Sequence, residues 1–293
     1  MTSFTLNAVN IGTFPLGEAD RIVVLFSAEK GLHRAVAKGA RKPGSKMSGK
    51  SEPLNICKFL LAKGKSLDII TQCETLETFP GLRSNLERLT YALYFAELSQ
   101  VFGADLGEDS QTYFERLSLA IAYMAESETL PILQCLEFEM SLLNMLGLLP
   151  ELTFCVSCRN PLEERTISTF NFELGGVLCE ACERRMRGQA SRGFQVAENA
   201  RSEAREGRLA SVMITPMVWQ QLVLARSIGT TGHDLTNLET EVRSVTSPQR
   251  FTRDDGDKQV HSRLTAAQRL LLGYIEYKSG RRMRSLDVLG AVS

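Results

Sequence analysis

The 293-residue sequence lacks the signals that mark membrane and secreted proteins. No apolar run approaches the roughly 18–20 residues that a bilayer-spanning helix needs. The most apolar stretch, residues 142–149, is about half that length and contains Asn144. The first ten residues also lack a basic segment followed by an apolar one, which a secretory signal requires. These absences predict a cytoplasmic protein that does not interact with a membrane.

Common catalytic motifs are absent as well. The sequence contains no G-x-x-x-x-G-K-S/T phosphate loop, no G-x-S-x-G nucleophile elbow and no H-E-x-x-H zinc motif. It has only three histidines, His33, His233 and His261, and its carboxylates show no spacing typical of an acid–base pair. We therefore expect a protein that is not an enzyme. A nuclease that binds magnesium through carboxylates is the alternative.

The sequence also lacks a net charge, because 34 Lys and Arg residues balance 34 Asp and Glu residues. Taken alone, this balance argues against a nucleic-acid binder. The charges are segregated, however: residues 1–67 carry eleven basic and four acidic side chains, whereas residues 68–150 carry three basic and thirteen acidic ones. Residues 151–293 are nearly balanced, with twenty basic and seventeen acidic side chains. A basic segment joined to an acidic one often indicates a nucleic-acid partner.

Residues 30–50, which we call the basic stretch, contain no acidic residue at all. We expect its cationic side chains to contact the phosphate backbone of DNA. These predicted DNA-binding residues are Lys30, Arg34, Lys38, Arg41, Lys42, Lys46 and Lys50. From residue 41 to residue 50 the intervening residues are Pro, Gly, Ser and Met, which predicts a flexible basic loop. The alternative is a solvated loop without a partner.

Residues 1–80 show the pattern of short strands, with β-branched and alternating apolar residues between glycines. The predicted strands are residues 4–11, 21–27, 32–38, 56–62 and 67–71. Five short strands without a long helix between them predict a small closed barrel such as an OB-fold, and an open meander is the alternative. Two of the few aromatic residues, Phe26 and Phe59, are expected to be buried, so contact with DNA is expected to involve its backbone more than its bases.

Residues 81–293 show helical periodicity, so the predicted fold class is α+β with two domains, residues 1–80 and 81–293. Leucines at 82, 86, 89 and 93 predict one apolar helical stripe, and further helices are expected at residues 111–125, 131–147, 216–227 and 265–279. Residues 229–262 are polar and rich in Thr, Ser, Asp and Gly, which predicts a flexible loop.

Four of the seven cysteines form the pattern C-x2-C-x20-C-x2-C within residues 152–188, which we call the cysteine module. Disulfides are rare in a reducing compartment, and this spacing is typical of a structural zinc site. The predicted ligands are Cys155, Cys158, Cys179 and Cys182. Thiols without a metal, whether reduced or redox-active, and an iron–sulfur cluster are the alternatives. Phe154, Phe170, Phe172 and Leu178 are expected to pack around the site.

Three sequence runs together resemble the RecO family of bacterial recombination and DNA-repair proteins. They are Gly17-Glu-Ala-Asp-Arg21 with the basic stretch that follows, Thr78-Phe-Pro-Gly-Leu-Arg83, and Tyr274-Ile-Glu-Tyr-Lys-Ser-Gly-Arg-Arg-Met-Arg-Ser-Leu286. The resemblance covers nearly the whole chain in order. It implies an N-terminal OB-fold that binds single- and double-stranded DNA, followed by a helical domain that carries a zinc module.

The resemblance also implies a function and partners. Members of this family anneal complementary strands and assist the loading of RecA on single-stranded DNA, and neither activity needs nucleotide hydrolysis. The implied direct partners are RecR, in the RecF pathway, and single-stranded-DNA-binding protein through its acidic C-terminal tail. The protein is then expected to be cytoplasmic and associated with the nucleoid when on DNA. A non-catalytic interaction scaffold with incidental DNA contact is the alternative.

Overall fold

The computed structural model describes residues 2–193, 211–231 and 253–290. The chain divides into two units, Met1–Pro131 with Arg281–Ser293 and Ile132–Gly280. The predicted boundary after residue 80 lies inside the first of these units. A division into domains at that residue therefore stays a prediction.

Five strands of the first unit form a closed barrel in the order β1-β2-β3-β5-β4. The strands are β1 (Ser3–Leu16), β2 (Asp20–Ser27), β3 (Gly31–Ala37), β4 (Ile56–Ala62) and β5 (Asp68–Glu77). Neighbouring strands are antiparallel except β3 and β5, which close the barrel through a short parallel pairing of Ala35 with Asp68 and Val36 with Ile69. The predicted closed barrel is confirmed, and the open meander is excluded.

The period-two alternation of the strands places small and aliphatic side chains inside the barrel. Cys57, Phe59 and Leu61 of β4 and Ala35 and Ala37 of β3 all belong to this core, and the burial of Phe59 was predicted. Strands β1 and β5 are longer than predicted. In β1 the pairing with β2 continues past an irregularity between Asn10 and Gly12.

A short helix, α1 (Lys46–Lys50), occupies the second half of the predicted flexible loop. The Oγ atom of Ser45 caps it by accepting a hydrogen bond from the N–H of Met47 at 3.3 Å. Met47 also packs against the barrel core. The prediction of a flexible loop was therefore wrong for residues 46–50, because a capping serine and an apolar anchor order them.

Three helices follow the barrel in the first unit: α2 (Pro80–Arg83), α3 (Leu86–Phe102) and α4 (Ser110–Glu126). Helix α3 contacts β1, α4 contacts β1, β2 and β3, and α2 packs against α3 and α4. The Phe26 and Tyr113 rings meet edge to face with centroids 4.9 Å apart, and Gln100 donates a hydrogen bond to the Ile11 carbonyl at 2.6 Å. A Cβ atom at Gly12 would lie 2.8 Å from the Gln100 amide nitrogen, so glycine permits this close approach.

The predicted leucine stripe is wrong, because its members lie on two helices. The chain leaves the helical conformation after α2, and Asn85 then caps α3 by accepting a hydrogen bond from the N–H of Arg88 at 3.1 Å. Leu86 and Leu93 are consequently 52% and 36% exposed. The buried face of α3 consists of other residues, namely Tyr91, Tyr94, Phe95, Leu98 and Phe102.

The second unit combines helices with a small sheet of strand order β7-β6-β8. Its elements are α5 (Pro131–Met145), β6 (Ile167–Asn171), β7 (Gly176–Cys179), α6 (Glu180–Gly193), β8 (Ser211–Met213), α7 (Pro216–Thr231) and α8 (Arg253–Ser279). Leu133, Leu136, Met140 and Leu143 of α5 are buried, as their spacing predicted. Within the described residues, no helix is both long and apolar enough to cross a membrane.

The predicted flexible loop at residues 229–262 is wrong at both of its ends. Helix α7 extends to Thr231, and α8 begins at Arg253, twelve residues before the predicted start at residue 265. The loop was predicted from the polarity of these residues. Polar residues such as Lys, Gln and Arg nevertheless have good helix propensity, so a helix can continue into a polar segment. Residues 232–252 lie outside the described part of the chain. A short helix, α9 (Asp287–Gly290), follows in the first unit.

Candidate nucleic-acid interface and metal centre

The predicted DNA-binding residues lie at both ends of the barrel and on the strand that connects them. We call the end with the β2–β3 and β4–β5 turns the first end, and the end with the β1–β2 turn and α1 the second end. Lys30 lies at the first end, whereas Arg41, Lys42 and the backbone of Lys46 lie at the second. The side chain of Lys46 is outside the described part of the structure. The basic stretch therefore extends along the full height of the barrel.

Strand β3 carries the middle of this basic surface. Ala35 and Ala37 point into the barrel, and the alternation leaves Arg34 exposed on the outer face, with Lys38 exposed just after the strand. Four residues of strand separate the two cations by about 13 Å. Small residues of β3 therefore lie inside the barrel, and the cations lie outside it.

At the first end, the Lys30 ammonium is positioned by an aromatic ring. Its Nζ atom lies 3.5 Å from the centroid of the Phe4 ring, which in turn meets the His33 ring edge to face at 5.9 Å. The Nε2 atom of His33 lies 3.1 Å from a carboxylate oxygen of Asp68. These contacts connect the starts of β1, β3 and β5.

Two lysines of the first end were missed by the sequence prediction. Lys63 and Lys65 are exposed in the β4–β5 turn, on either side of Gly64. A Cβ atom at Gly64 would lie 1.9 Å from the Leu67 carbonyl oxygen, so this tight turn requires glycine. The prediction was confined to the acid-free stretch, although a Lys-Gly-Lys turn between two strands was a readable signal.

At the second end, the Gly17-Glu-Ala-Asp-Arg21 run has a structural role. Gly17 has a φ of +59° in the β1–β2 turn, and its carbonyl accepts a hydrogen bond from Nη1 of Arg41 at 2.6 Å. Asp20 accepts a hydrogen bond from the N–H of Gly39 at 2.7 Å, and Arg21 forms an ion pair with Glu52 at 3.2 Å. The run therefore holds the β1–β2 turn against the chain that follows β3.

Lys50 differs from the other predicted DNA-binding residues. Its ammonium donates a hydrogen bond to the Cys73 carbonyl of β5 at 2.6 Å, and the residue is partly buried. The side chain thus connects α1 to the barrel wall, whereas Arg34, Lys38, Arg41 and Lys42 are exposed. The spacing of charges along the sequence cannot distinguish these two environments.

The four predicted metal ligands converge in the second unit. Their sulfur atoms all lie within 4.8 Å of one another, so the group can hold a metal ion. A tetrahedral zinc site with bonds of about 2.3 Å has sulfur–sulfur separations of about 3.8 Å. The Sγ atoms of Cys158 and Cys179 are 3.9 Å apart, so the donor set fits such an ion.

Local backbone structure explains the convergence. The first cysteine pair lies in a tight turn in which Arg159 has a φ of +62° and donates its N–H to the Cys155 carbonyl at 2.9 Å. The second pair lies where β7 ends and α6 begins, so Cys179 is the last strand residue and Cys182 lies in the first helical turn. Each pair presents two sulfur atoms to the same point.

Burial and hydrogen bonds shift the pKa values of the cysteine thiols. Burial raises the pKa of Cys155, but the N–H groups of Cys158, Cys179 and Ser157 outweigh it and lower the pKa to about 6. Burial and the neighbouring sulfur atoms raise the pKa of Cys179 to about 11. Burial also opposes ionisation of Cys182, yet its pKa is lowered by hydrogen bonds that include one from Arg185 at 2.9 Å. Formation of the thiolate, the form that binds metal, is therefore made easier at Cys155 and Cys182.

The aromatic surroundings of the module differ in part from the prediction. Phe170, Phe172 and Leu178 are buried, but Phe154 is 38% exposed and lies beneath the Arg159 guanidinium group. The expectation that Phe154 packs around the site was therefore wrong. The reason is its position, because it precedes the first cysteine on an exposed turn.

Tyrosines of α8 complete the packing of the small sheet. The rings of Phe170 and Tyr274 lie 5.3 Å apart, and those of Phe172 and Tyr277 lie 6.0 Å apart. The Tyr274 hydroxyl donates a hydrogen bond to the Leu148 carbonyl at 2.9 Å. The Tyr274-Ile-Glu-Tyr run noted in the sequence thus supports the sheet of the cysteine module.

Comparisons with known proteins match both the barrel and the residues that include the cysteine module. The family model "Recombination protein O N terminal" matches residues 1–79, and "Recombination protein O C terminal" matches residues 83–223. The chain is 37% identical over 182 residues to "DNA repair protein RecO" of Desulforamulus reducens, which covers 62% of this chain and 70% of that protein. It is 30% identical over 290 residues to the protein of the same name from Gloeothece citriformis, which covers 95% of this chain and 93% of that protein.

Proposed function

Since this chain belongs to the RecO family of DNA repair proteins, we propose that it is a recombination mediator that binds DNA and anneals complementary strands. The observation that carries the proposal is the line of exposed cations from the first to the second end of the barrel. Arg34 and Lys38 form its centre, and Arg41 and Lys42 continue it. Lys30, Lys63 and Lys65 extend it at the first end.

The proposed mechanism is electrostatic. Cations along the barrel neutralise phosphates of two strands and release their counterions, which lowers the repulsion that opposes pairing. Pairing between the strands then selects the sequence, because contacts to phosphates carry no base information. Helices α3 and α4 belong to the acidic segment of the chain and contact β1 and β2, so DNA is expected to approach the barrel from the surface that carries the exposed cations.

The aromatic residues of the barrel support backbone contact over base stacking. Phe26 and Phe59 are completely buried and cannot stack on a base. Phe4 contacts Lys30 and His33, so among these phenylalanines Phe14, at 50% exposure, is the ring that remains accessible to a base. Weak sequence preference follows, since stacking and base-edge contacts are few.

We propose that the cysteine quartet binds zinc. Cys155, Cys158, Cys179 and Cys182 would hold the ion, which supplies structural cross-linking and, with four protein ligands, no open position for substrate. The ion would fix the turn at Cys155 against the start of α6. Zinc is thus proposed as a structural element, with no part in DNA chemistry.

The proposed cellular role follows from the family. It comprises direct interaction with RecR and with the acidic tail of single-stranded-DNA-binding protein, and an indirect effect on RecA in the RecF pathway. Annealing makes and breaks no covalent bond, so no catalytic step is proposed. The proposed location is the cytoplasm, with nucleoid association when the protein is on DNA.

An annealing assay on complementary strands coated by single-stranded-DNA-binding protein tests the proposal. The variant is Arg34→Gln with Lys38→Gln and Lys42→Gln, which avoids Arg41 because that side chain holds the Gly17 carbonyl. We expect slower annealing, and a log–log salt dependence of single-strand affinity that is shallower by about 2, or about 0.7 for each phosphate that is no longer neutralised.

A matched control removes three exposed arginines from the second unit, by Arg165→Gln, Arg184→Gln and Arg269→Gln. Equal losses of affinity in both triple variants would mean that net charge, and not the barrel surface, determines affinity. If the wild-type protein captures RecR after nuclease treatment but has no measurable DNA affinity, the interaction scaffold replaces the mediator as the function.

A further inference from the structure

A second basic site lies in the first unit, outside the barrel. Arg281, Arg282 and Arg284 line one open recess of about 530 Å³, together with the carboxylate of Asp287. We call it the arginine recess. Its position in the sequence, some 230 residues after the basic stretch, separates it from the predicted DNA-binding residues.

The backbone around the recess is fixed. The Glu97 carboxylate of α3 accepts hydrogen bonds from the N–H groups of Arg284 at 2.9 Å and Ser285 at 2.8 Å. Met283 is only 2% exposed, so it anchors the segment while its neighbours Arg282 and Arg284 remain exposed. The arginine side chains are thereby presented from an ordered backbone, which reduces the entropy lost on binding an anion.

The recess is connected to the barrel through α3. Glu97, which holds the recess, lies three residues before Gln100, which holds the Ile11 carbonyl of β1. From Ile11, strand β1 continues to the turn at Gly17, whose carbonyl holds Arg41. Six residues of strand span about 20 Å, so the point at which α3 contacts β1 lies about 20 Å along that strand from the second end of the barrel.

We propose that the arginine recess binds a second stretch of phosphodiester backbone, in addition to the one on the barrel. The inference rests on the proposed function, and it supplies annealing with a separate place for the second strand. Arginine suits this role, because its planar guanidinium group donates two parallel hydrogen bonds to a phosphate.

The lining of the recess favours phosphate over an acidic peptide. Clusters of arginine bind acidic peptides as well as phosphates, but none of the four residues that line the recess is apolar, so it offers no pocket for an apolar side chain of a peptide. Asp287 accepts both hydrogen bonds from Nη2 of Arg282, at 3.0 and 3.2 Å, which orients that guanidinium group. Arg284 adds a further exposed cation beside this pair.

The test uses the full-length chain with Arg282→Gln and Arg284→Gln, and fluorescently labelled duplex and single strands at several salt concentrations. We expect the log–log salt dependence of duplex affinity to become shallower by about 1.8, which corresponds to about 60-fold weaker binding at 0.1 M salt. Strand annealing is expected to slow as well. The Arg282→Lys, Arg284→Lys variant keeps both charges and is expected to recover most of the salt dependence.

The control is Arg165→Gln with Arg184→Gln, which removes two exposed charges from the second unit and is expected to behave as wild type. Thermal unfolding monitored by circular dichroism checks that each variant is folded. If the recess variant keeps wild-type salt dependence while the triple barrel variant loses affinity, the inference is wrong and the proposed function stands. If no protein, including the wild type, binds DNA, the proposed function itself fails.

A labelled aspartate-rich hexapeptide serves as the competing probe. Binding of this peptide to the wild type and its loss in the recess variant, with DNA affinity unchanged, would assign the recess to carboxylates and overturn the inference. Weaker DNA binding without an effect on the peptide supports it.

Discussion

The barrel and the cysteine module are stabilised by different means. The barrel has five strands of 7 to 14 residues that close on themselves around a continuous apolar core. The two strands of the module, β6 and β7, have five and four residues, and their sheet is completed by β8, which has three. Such short strands bury little apolar surface, so a metal at the cysteine quartet is expected to supply much of the module's stability. The comparison predicts that the barrel depends mainly on hydrophobic burial, whereas the small module gains further stability from a bound metal.

Of the changes considered, removal of the metal is expected to have the largest effect on stability, and this effect should be confined to the module. Binding free energies of structural zinc reach about 10–16 kcal/mol in peptides, so a chelator or Cys158→Ala should unfold the module. Hydrogen exchange should then increase in β6 and β7 and remain unchanged in β2 and β4. Elemental analysis that finds no zinc in the purified protein would contradict the metal assignment, and equal exchange in both regions would contradict the comparison.

A core substitution in the barrel should destabilise the barrel and leave the cysteine module unchanged. Phe59→Ala removes a completely buried ring from the barrel core, which should lower the free energy of unfolding by about 3–5 kcal/mol. Denaturant unfolding measures the loss, and the bound metal content should stay at the wild-type value. A loss of metal from this variant would show that the module's stability depends on the barrel.

Replacement of Lys50 should have a smaller effect, and one that separates structure from function. Lys50→Met removes the hydrogen bond to the Cys73 carbonyl and is expected to cost about 1–2 kcal/mol of stability. The salt dependence of DNA affinity should remain as in the wild type, because the ammonium faces the barrel wall. If this variant is as stable as the wild type and the salt dependence of its DNA affinity is shallower, Lys50 is a DNA-binding residue as the sequence predicted.

Some of the fold follows from local sequence pattern. Strand β4 has the predicted bounds, 56 and 62, because it is a short, nearly continuous apolar run in which Cys57, Phe59 and Leu61 share one face. The predicted leucine stripe was wrong because a local spacing does not show where one helix ends and the next begins. Its spacing is regular in the sequence, but the break before Asn85 starts a new helix with a different buried face.

The two candidate sites also differ in how far local sequence predicts them. Four cysteines at two short spacings predict a site able to hold a metal without knowledge of the fold, because each pair converges within one turn. For the basic stretch, charge composition identified the region but could not separate Lys50, which is bound to β5, from exposed Arg34. Lys63 and Lys65 join the first end only because the barrel brings the β4–β5 turn beside Lys30.

The sequence by itself determined a five-stranded barrel, a cysteine quartet able to hold a metal, and a basic segment beside an acidic one. These properties follow from alternation, spacing and composition, which are local. Only the tertiary structure decided which cations face solvent and where residues 281–284 lie. The hydrogen bond from Arg284 to Glu97 joins residues 187 positions apart, and no local pattern encodes a contact of that range.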